Sequence, residues 1–287
     1  MSAQLLSGAP VAEAVSASVR QRASRLAARG VAPTLAIVLV GDSEDSAGYV
    51  LKKHEACARA GITSLDVRLP AVASQAALEA EVRRLDADPS VHGIIVQSPL
   101  PAGLDFNAAL LAIDPRKDAD GLHPESLGRL ALGMPGPLPA TPAGISAMLV
   151  HYGLDVAGRH VAIVGRGPTL GRPLSLLLSA KRAGGNAIVT LLHAEAPAWE
   201  RFTRQADVVV VGVGKPHVLT PDAVRPGAVV VSAGITWQGK KLVPDVAPEV
   251  AEVASWVTPR LGGVGVTTVA MLLANTVALA ERASGAP

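Results

Sequence analysis

Aromatic side chains are scarce in this 287-residue chain: two Phe, two Tyr and three Trp, 2% of the total counting Phe, Trp and Tyr together. So few rings exclude an extended base-stacking platform for single-stranded nucleic acid, and Ala, Val and Leu must fill the cores. Charge of one sign is just as thin. Lys and Arg number 26 against 24 Asp and Glu, for a net charge of +2, and the basic residues never form a block that would track a phosphate backbone. No nucleic acid or other polyanion is expected as a partner. The single cysteine, Cys57, excludes an internal disulfide, and the N-terminal residues lack the basic segment and apolar core of a secretory signal. A reducing, cytoplasmic setting is expected. His54, His92, His151, His160 and His217 show no pair at metal-ligand spacing, so no metal is expected. Leu261 to Ala280 carries no charge and is long enough to be weighed as a membrane span. It opens with glycines, however, and contains Thr267, Thr268, Asn275 and Thr276, so no membrane span is expected.

What is present is apolar material, 49% of the chain, enough for full cores and far from the disordered class. The length exceeds that of a usual single domain, so two lobes and a cleft are expected. Helical and strand patterns alternate in the first half. Val11 to Ala28 reads as a helix, Thr34 to Val40 as a buried strand, and a helix capped by Ser46 runs to Ala60. The strand Ile62 to Leu69, the helix Ser74 to Asp86 and the strand Gly93 to Gln97 follow. From Pro99 to Pro142 the chain is rich in Pro and Gly around one short helix near Asn107 to Ile113, as a connection lining a site would be. Strands at His160 to Val164, Ala187 to Leu192, Asp207 to Val211 and Ala228 to Val231, with a helix from Pro168 to Lys181, then give a doubly wound sheet of dinucleotide-binding type. The fold class is α/β: an N-terminal βαβ catalytic lobe over residues 1–140, and a Rossmann-type lobe over 141–266. A C-terminal helix, 267–287, returns to the first lobe.

Three constellations carry chemistry. Gly165-Arg166-Gly167-Pro168-Thr169-Leu170-Gly171 lies between strand and helix, where backbone amides and a helix N-terminus hold a pyrophosphate. Its spacing is one residue longer than the usual fingerprint, and a bare glycine match also describes an ordinary turn. The strands around it favour a cofactor loop. Arg166 offers a guanidinium to a ribose 2'-phosphate, while Glu195 could accept from a free 2'-hydroxyl; NADP is favoured and NAD stays open. Second, Tyr49 and Lys53 share one helix face with Cys57 a further turn along. Alone, this pair reads as a half-buried Tyr beside a solvated Lys. Third, Gln97 ends a strand, followed by Ser98-Pro99-Leu100-Pro101 and, in the connection, by Lys117-Asp118-Ala119-Asp120-Gly121-Leu122-His123. Taken singly, Gln97 suits a loop hydrogen bond and Asp120 a turn.

In order and spacing these pieces resemble the bifunctional methylenetetrahydrofolate dehydrogenase/methenyltetrahydrofolate cyclohydrolase family, known as FolD in bacteria, from Leu6 to about Leu279. Val40-Gly41-Asp42, Thr141-Pro142 with Gly144, Gly171-Arg172-Pro173, Gly214-Lys215-Pro216, Gly262-Gly263-Val264-Gly265 and Asn275-Thr276 also match. The resemblance implies oxidation of 5,10-methylenetetrahydrofolate with NADP, hydrolysis of the methenyl product to 10-formyltetrahydrofolate, and a homodimer. It makes Lys53 the central catalytic residue of both steps, with Tyr49 and Gln97 positioning it and the folate, and Asp120 holding the pterin. Gly262 and Gly263 would wall the folate; Gly165, Arg166, Gly167, Thr169, Gly171, His193, Ala194, Gly214 and Ile235 would hold the cofactor.

Some positions depart from the family pattern. Gly167 and Ala194 stand where Ser is usual, Ser98 where Leu is usual, Ser232-Ala233 where Asp-Val is usual, and Leu261, Val266 and Thr267 replace Pro, Pro and Met. They suggest as alternatives a specialised paralogue with altered hydrolysis or cofactor preference, or a folate- or nucleotide-binding protein without turnover. A shikimate-type dehydrogenase is a further alternative.

Overall fold

The computed structural model describes residues 2–41, 44–239 and 241–285. Along the chain run β1 (Gln4–Leu5), α1 (Ala9–Ala27), β2 (Thr34–Val40), α2 (Glu44–Ala60), β3 (Thr63–Leu69), α3 (Gln75–Ala87) and β4 (Gly93–Val96). Next come α4 (Phe106–Leu111), α5 (Pro124–Ala131), α6 (Ala140–His151), β5 (His160–Val164), α7 (Gly171–Ser179), β6 (Ile188–Leu192), α8 (Glu200–Thr203) and β7 (Val208–Val211). The chain closes with β8 (Val229–Ser232), β9 (Ile235–Gln238), β10 (Lys241–Pro244), β11 (Trp256–Val257) and α9 (Val264–Ala283).

The chain divides into two compact units. One comprises residues 13–129, 135–140 and 269–287. Its three-stranded parallel sheet has the order β3-β2-β4. All seven residues of β2 are buried, as a strand covered on both faces requires. Leu35, Ile37 and Leu39 point one way, against α1, α2 and the second half of α9 through Val19, Ala23, Cys57, Leu272, Leu273 and Val277. Ala36, Val38 and Val40 point the other way, against Leu78, Val82 and Leu85 of α3. Ser74 caps α3 as expected, its hydroxyl accepting from the Ala77 N–H at 3.2 Å. By contrast α2 already begins at Glu44, two residues before the expected cap position at Ser46. Asp42 lies outside the described residues.

The second unit comprises residues 1–12, 130–134 and 141–268. Its six-stranded parallel sheet runs β1-β11-β8-β7-β5-β6. Residues 1–12 were expected with the first lobe, yet they count here because β1 hydrogen-bonds to β11 as an added strand. Two cores sandwich the sheet: Val161, Ile163, Val208 and Val210 pack against α6 and α7, while Ala162, Val164, Val209 and Val211 pack beneath Trp199, Leu219 and Val250. The expected helix from Pro168 starts only at Gly171 and ends at Ser179, because Pro168-Thr169-Leu170 form the turn that closes the glycine loop. The helices α5 and α6 and the β9-β10 hairpin were not anticipated from the sequence. Among the described residues α9 alone has the length and hydropathy to cross a membrane, and half of it is buried in the protein.

Candidate active site

In the first unit the strand order reverses at β2, with β3 on one side and β4 on the other. The carboxyl ends of β2 and β4 therefore form a switch point, the place where open α/β sheets bind ligands. Gln97 follows directly on β4 and donates its N–H to the Val38 carbonyl at 2.8 Å. Its side-chain Nε2 donates to the Ser98 carbonyl at 2.7 Å, which fixes the amide so that Oε1 faces α2. Lys53 Nζ donates to that oxygen at 2.9 Å. The Ser98–Pro99 peptide bond is cis.

The four-residue spacing on α2 becomes a gradient of depth: Tyr49 is 40% exposed, Lys53 half-buried and Cys57 fully buried. Burial holds the Lys53 ammonium below the usual lysine range, against the pull of the Asp120 carboxylate. Burial also pushes the Cys57 thiol up to about 12, with Lys53 opposing; a thiol kept protonated is no nucleophile. The Lys52 ammonium lies 5.8 Å from the centre of the Tyr49 ring.

Asp120 is held by a turn that its neighbour builds. Asp118 is buried, and its two carboxylate oxygens accept from the N–H groups of Gly121, Leu122 and His123 at 2.9, 3.2 and 2.8 Å. Gly121 adopts φ +69°, and a Cβ there would overlap the Leu138 backbone. From α9, Asn275 Nδ2 donates to the carbonyls of Ala119 and Leu138 at 2.9 and 2.8 Å. Among the described residues the Asp120 carboxylate receives no hydrogen bond, which leaves it open to a ligand. Burial raises its pKa, Lys53 counteracts this, and Asp118 adds to it. The supporting parts played by Asp118 and Asn275 escaped the sequence reading, although an Asn within the apolar run Leu272 to Val277 was a usable signal.

In the second unit the switch point falls between β5 and β7. Gly165 ends β5 at φ +117°; a Cβ there would overlap the Gly212 carbonyl, and one on Gly171 would overlap the Gly165 carbonyl. The loop thus closes on its own backbone, as only glycine permits. Leu170, at the N-cap of α7, supplies no capping hydrogen bond; in the first turn the Arg172 N–H donates to the Gly167 carbonyl at 3.2 Å, and Pro173 has no N–H to offer. Arg166 is exposed, with Gly167 and Thr169 on the same loop. After β6, the neighbour of β5, come His193 and Ala194; among the described residues the buried His193 Nδ1 has no hydrogen-bond partner. Gly214 follows β7 at φ +68°, its carbonyl accepting from Thr236 Oγ1 at 2.8 Å, while Ile235 opens β9 and is 37% exposed. These donors and the close glycine packing fit a dinucleotide. Gly262 and Gly263 lie before α9: the Gly262 carbonyl accepts from the Gly8 N–H at 2.7 Å, and Gly263 is buried against Gly8 and Pro259.

Sequence reasoning also missed Asp245, a buried carboxylate in this unit whose Oδ2 accepts from the N–H groups of Val213 and Gly214 at 2.6 and 2.9 Å. The one signal was a lone acid in the apolar run Val243-Pro244-Asp245-Val246-Ala247.

A Rossmann unit with a glycine loop between strand and helix, joined in one chain to a unit whose sheet end carries a lysine, an amide and a carboxylate, defines a nicotinamide-type oxidoreductase architecture. The chain belongs to the tetrahydrofolate dehydrogenase/cyclohydrolase family, whose catalytic-domain model matches residues 6–120 and whose NAD(P)-binding-domain model matches residues 139–284. It is 54% identical over 281 residues to the bifunctional protein FolD of Syntrophotalea carbinolica, covering 98% of this chain and 97% of that one. Among solved structures, the bifunctional FolD of Campylobacter jejuni shares 38% identity, with a TM-score of 0.92 and coverage of 97% and 99%. The Trypanosoma brucei enzyme, solved with NADP cofactor and inhibitor, shares 35% identity at a TM-score of 0.93 and covers 100% of both chains. Family membership sets aside the shikimate-type alternative.

Proposed function

We propose that this protein oxidises 5,10-methylenetetrahydrofolate with NADP and hydrolyses the resulting 5,10-methenyltetrahydrofolate to 10-formyltetrahydrofolate. The observation that carries the reading is Lys53, half-buried and hydrogen-bonded to Gln97 at a ligand-binding sheet end, with an unengaged Asp120 carboxylate acting on it. Asp120 accepts from the 2-amino group and the adjacent ring N–H of the pterin, which orients the ring. Tyr49 lays its ring against the p-aminobenzoyl group. Gly165, Arg166, Gly167, Thr169, Gly171, His193, Ala194, Gly214 and Ile235 hold NADP, which supplies the acceptor for the hydride. Loss of hydride from the one-carbon bridge leaves a methenyl cation, which a fixed ammonium nearby would oppose. Burial meets this demand by favouring the neutral amine of Lys53. An amine donating to Gln97 Oε1 keeps its lone pair free. In the second step it takes a proton from the water that attacks the bridge carbon; the bond from that carbon to N5 then breaks, N5 takes up the proton from the lysine, and the new hydroxyl loses its proton to solvent, giving the 10-formyl product.

The partner is a tetrahydrofolate derivative, the setting cytoplasmic, and the assembly a homodimer. In support of the last, β6 ends its sheet and bears Ile188 and Leu191, 62% and 38% exposed, an edge that favours pairing with a second copy. A paired assay on one preparation tests the reading: NADP and NAD reduction with methylenetetrahydrofolate, and methenyl hydrolysis. NADP reduction and hydrolysis are both expected, and absence of the first overturns the reading. Light scattering reads the assembly, with twice the chain mass expected. A further expected result concerns the glycine loop. Gly171→Ala forces a Cβ into the Gly165 carbonyl and should weaken NADP binding by about tenfold or more, read by calorimetric titration, while unchanged affinity would refute the loop's role.

A further inference from the structure

We infer that Asp245 is a positioning residue that sets the cofactor-facing loop after β7, holding Gly214 and Ile235 in register for NADP; this rests on the reading of the second unit as the NADP site. Four observations converge on it. Its Oδ2 accepts the N–H groups of two successive loop residues, Val213 at 2.6 Å and Gly214 at 2.9 Å, so one carboxylate oxygen fixes the backbone direction just where β7 ends. Its own backbone continues the brace: the Asp245 N–H donates to the Gly234 carbonyl at 3.1 Å, and its carbonyl accepts from the Leu219 N–H at 3.1 Å. Gly234 and Leu219 flank the loops that carry Ile235 and Gly214. A Cβ on Gly234 would overlap the Asp245 carboxylate, so the acid lies directly beneath the strand-to-hairpin turn. The loop itself holds a conformation that needs such support, with Gly214 at φ +68° and His217, a non-glycine residue, at φ +54°.

Burial raises the Asp245 pKa, while the Val213, Gly214 and Lys215 amides pull it down. An acid accepting backbone amides at the cost of desolvation, with its second oxygen, Oδ1, buried and without a hydrogen-bond partner among the described residues, is a poor device for stability alone. Its product is loop geometry. The residue acts through Gly214 and Ile235, and nothing places it against the reacting atoms.

The test uses the full chain as wild type, Asp245→Ala and Asp245→Asn, with NADP as the titrant in calorimetry and peptide-level hydrogen exchange over residues 212–219. Asparagine keeps an oxygen that accepts the same two amides, whereas alanine does not. Asp245→Ala should weaken NADP binding by roughly tenfold or more and speed amide exchange in the loop, while Asp245→Asn stays within about threefold of wild type with slow exchange. NADP affinity within about twofold of wild type in Asp245→Ala overturns the inference, as does an Asp245→Asn protein that binds as weakly as Asp245→Ala. Should the alanine variant fail to fold, the asparagine variant and the wild-type exchange pattern still decide, because fast exchange at Val213 and Gly214 in the wild type refutes the brace. Failure of the functional reading appears separately, as absence of folate-dependent NADP reduction by the wild-type protein.

Discussion

Lys53→Met should remove both folate oxidation and methenyl hydrolysis, each by about three orders of magnitude, while the unfolding temperature stays within about 4 °C of wild type. Methionine retains the apolar stem that lies along α2 but has no proton to move. The fold tolerates the exchange because, among the described residues, Lys53 makes one side-chain hydrogen bond, to Gln97, and its ammonium is penalised by burial. The sign of that penalty can be checked. A lysine whose folded pKa lies below its unfolded value binds fewer protons when folded, so it costs stability at low pH and the cost fades as pH rises through the folded and then the unfolded pKa. Any stability gained by Lys53→Met should therefore be greatest at acid pH and vanish in alkali. Wild-type turnover should rise with pH through a midpoint below that of an ordinary lysine, and that limb should be missing from the residual activity of the variant. Stopped assays across pH with thermal melts on the same samples read both quantities. Undiminished hydrolysis in Lys53→Met would refute the role given to the amine.

Asp120→Asn should lower kcat/KM for the folate by about a hundredfold and leave NADP affinity nearly unchanged. Asparagine presents an N–H₂ where the pterin presents donors, so the loss is that of a charge-assisted pair together with a donor-to-donor clash. Asp120→Asn also removes the anion that raises the Lys53 pKa, so the pH midpoint should move to lower pH. These two effects separate on one data set: the fall in kcat/KM reports pterin recognition and the displaced midpoint reports coupling to Lys53. A variant with normal folate kinetics would show that Asp120 does not bind the pterin.

The central strands β2 and β5 were legible because their apolar runs are continuous: Thr34–Val40 and His160–Val164 match the expected spans residue for residue. The unanticipated elements lack such a signal. α6 is apolar almost all round and carries Pro142 and Gly144, so no stripe marks it as a helix, while β1 and β11 are two residues long and are defined by long-range pairing, β1 with β11 and β11 with β8. At the site, a spacing of four put Tyr49 and Lys53 on one face, and the strand end gave Gln97. The family likeness, and not the pattern, singled out Asp120. What makes Asp120 available is a set of long-range contacts, from Asp118 to the following amides and from Asn275 to Ala119 and Leu138, which no local pattern encodes. Asp245 was hidden for the same reason, since its meaning lies in amides some thirty positions earlier in the chain.

The glycine loop divides into a frame and an outer margin. Gly165 and Gly171 are locked by backbone contact, but an added Cβ on Gly167 meets nothing, and Gly167 keeps an ordinary φ. Evolution, or an engineer, can therefore rewrite the margin at Arg166, Gly167 and Thr169 without disturbing the frame. On the proposed reading of the loop, nucleotide choice is a separable module: a hydroxyl grafted at position 167 would retune phosphate selectivity, and the oxidation chemistry would be inherited unchanged.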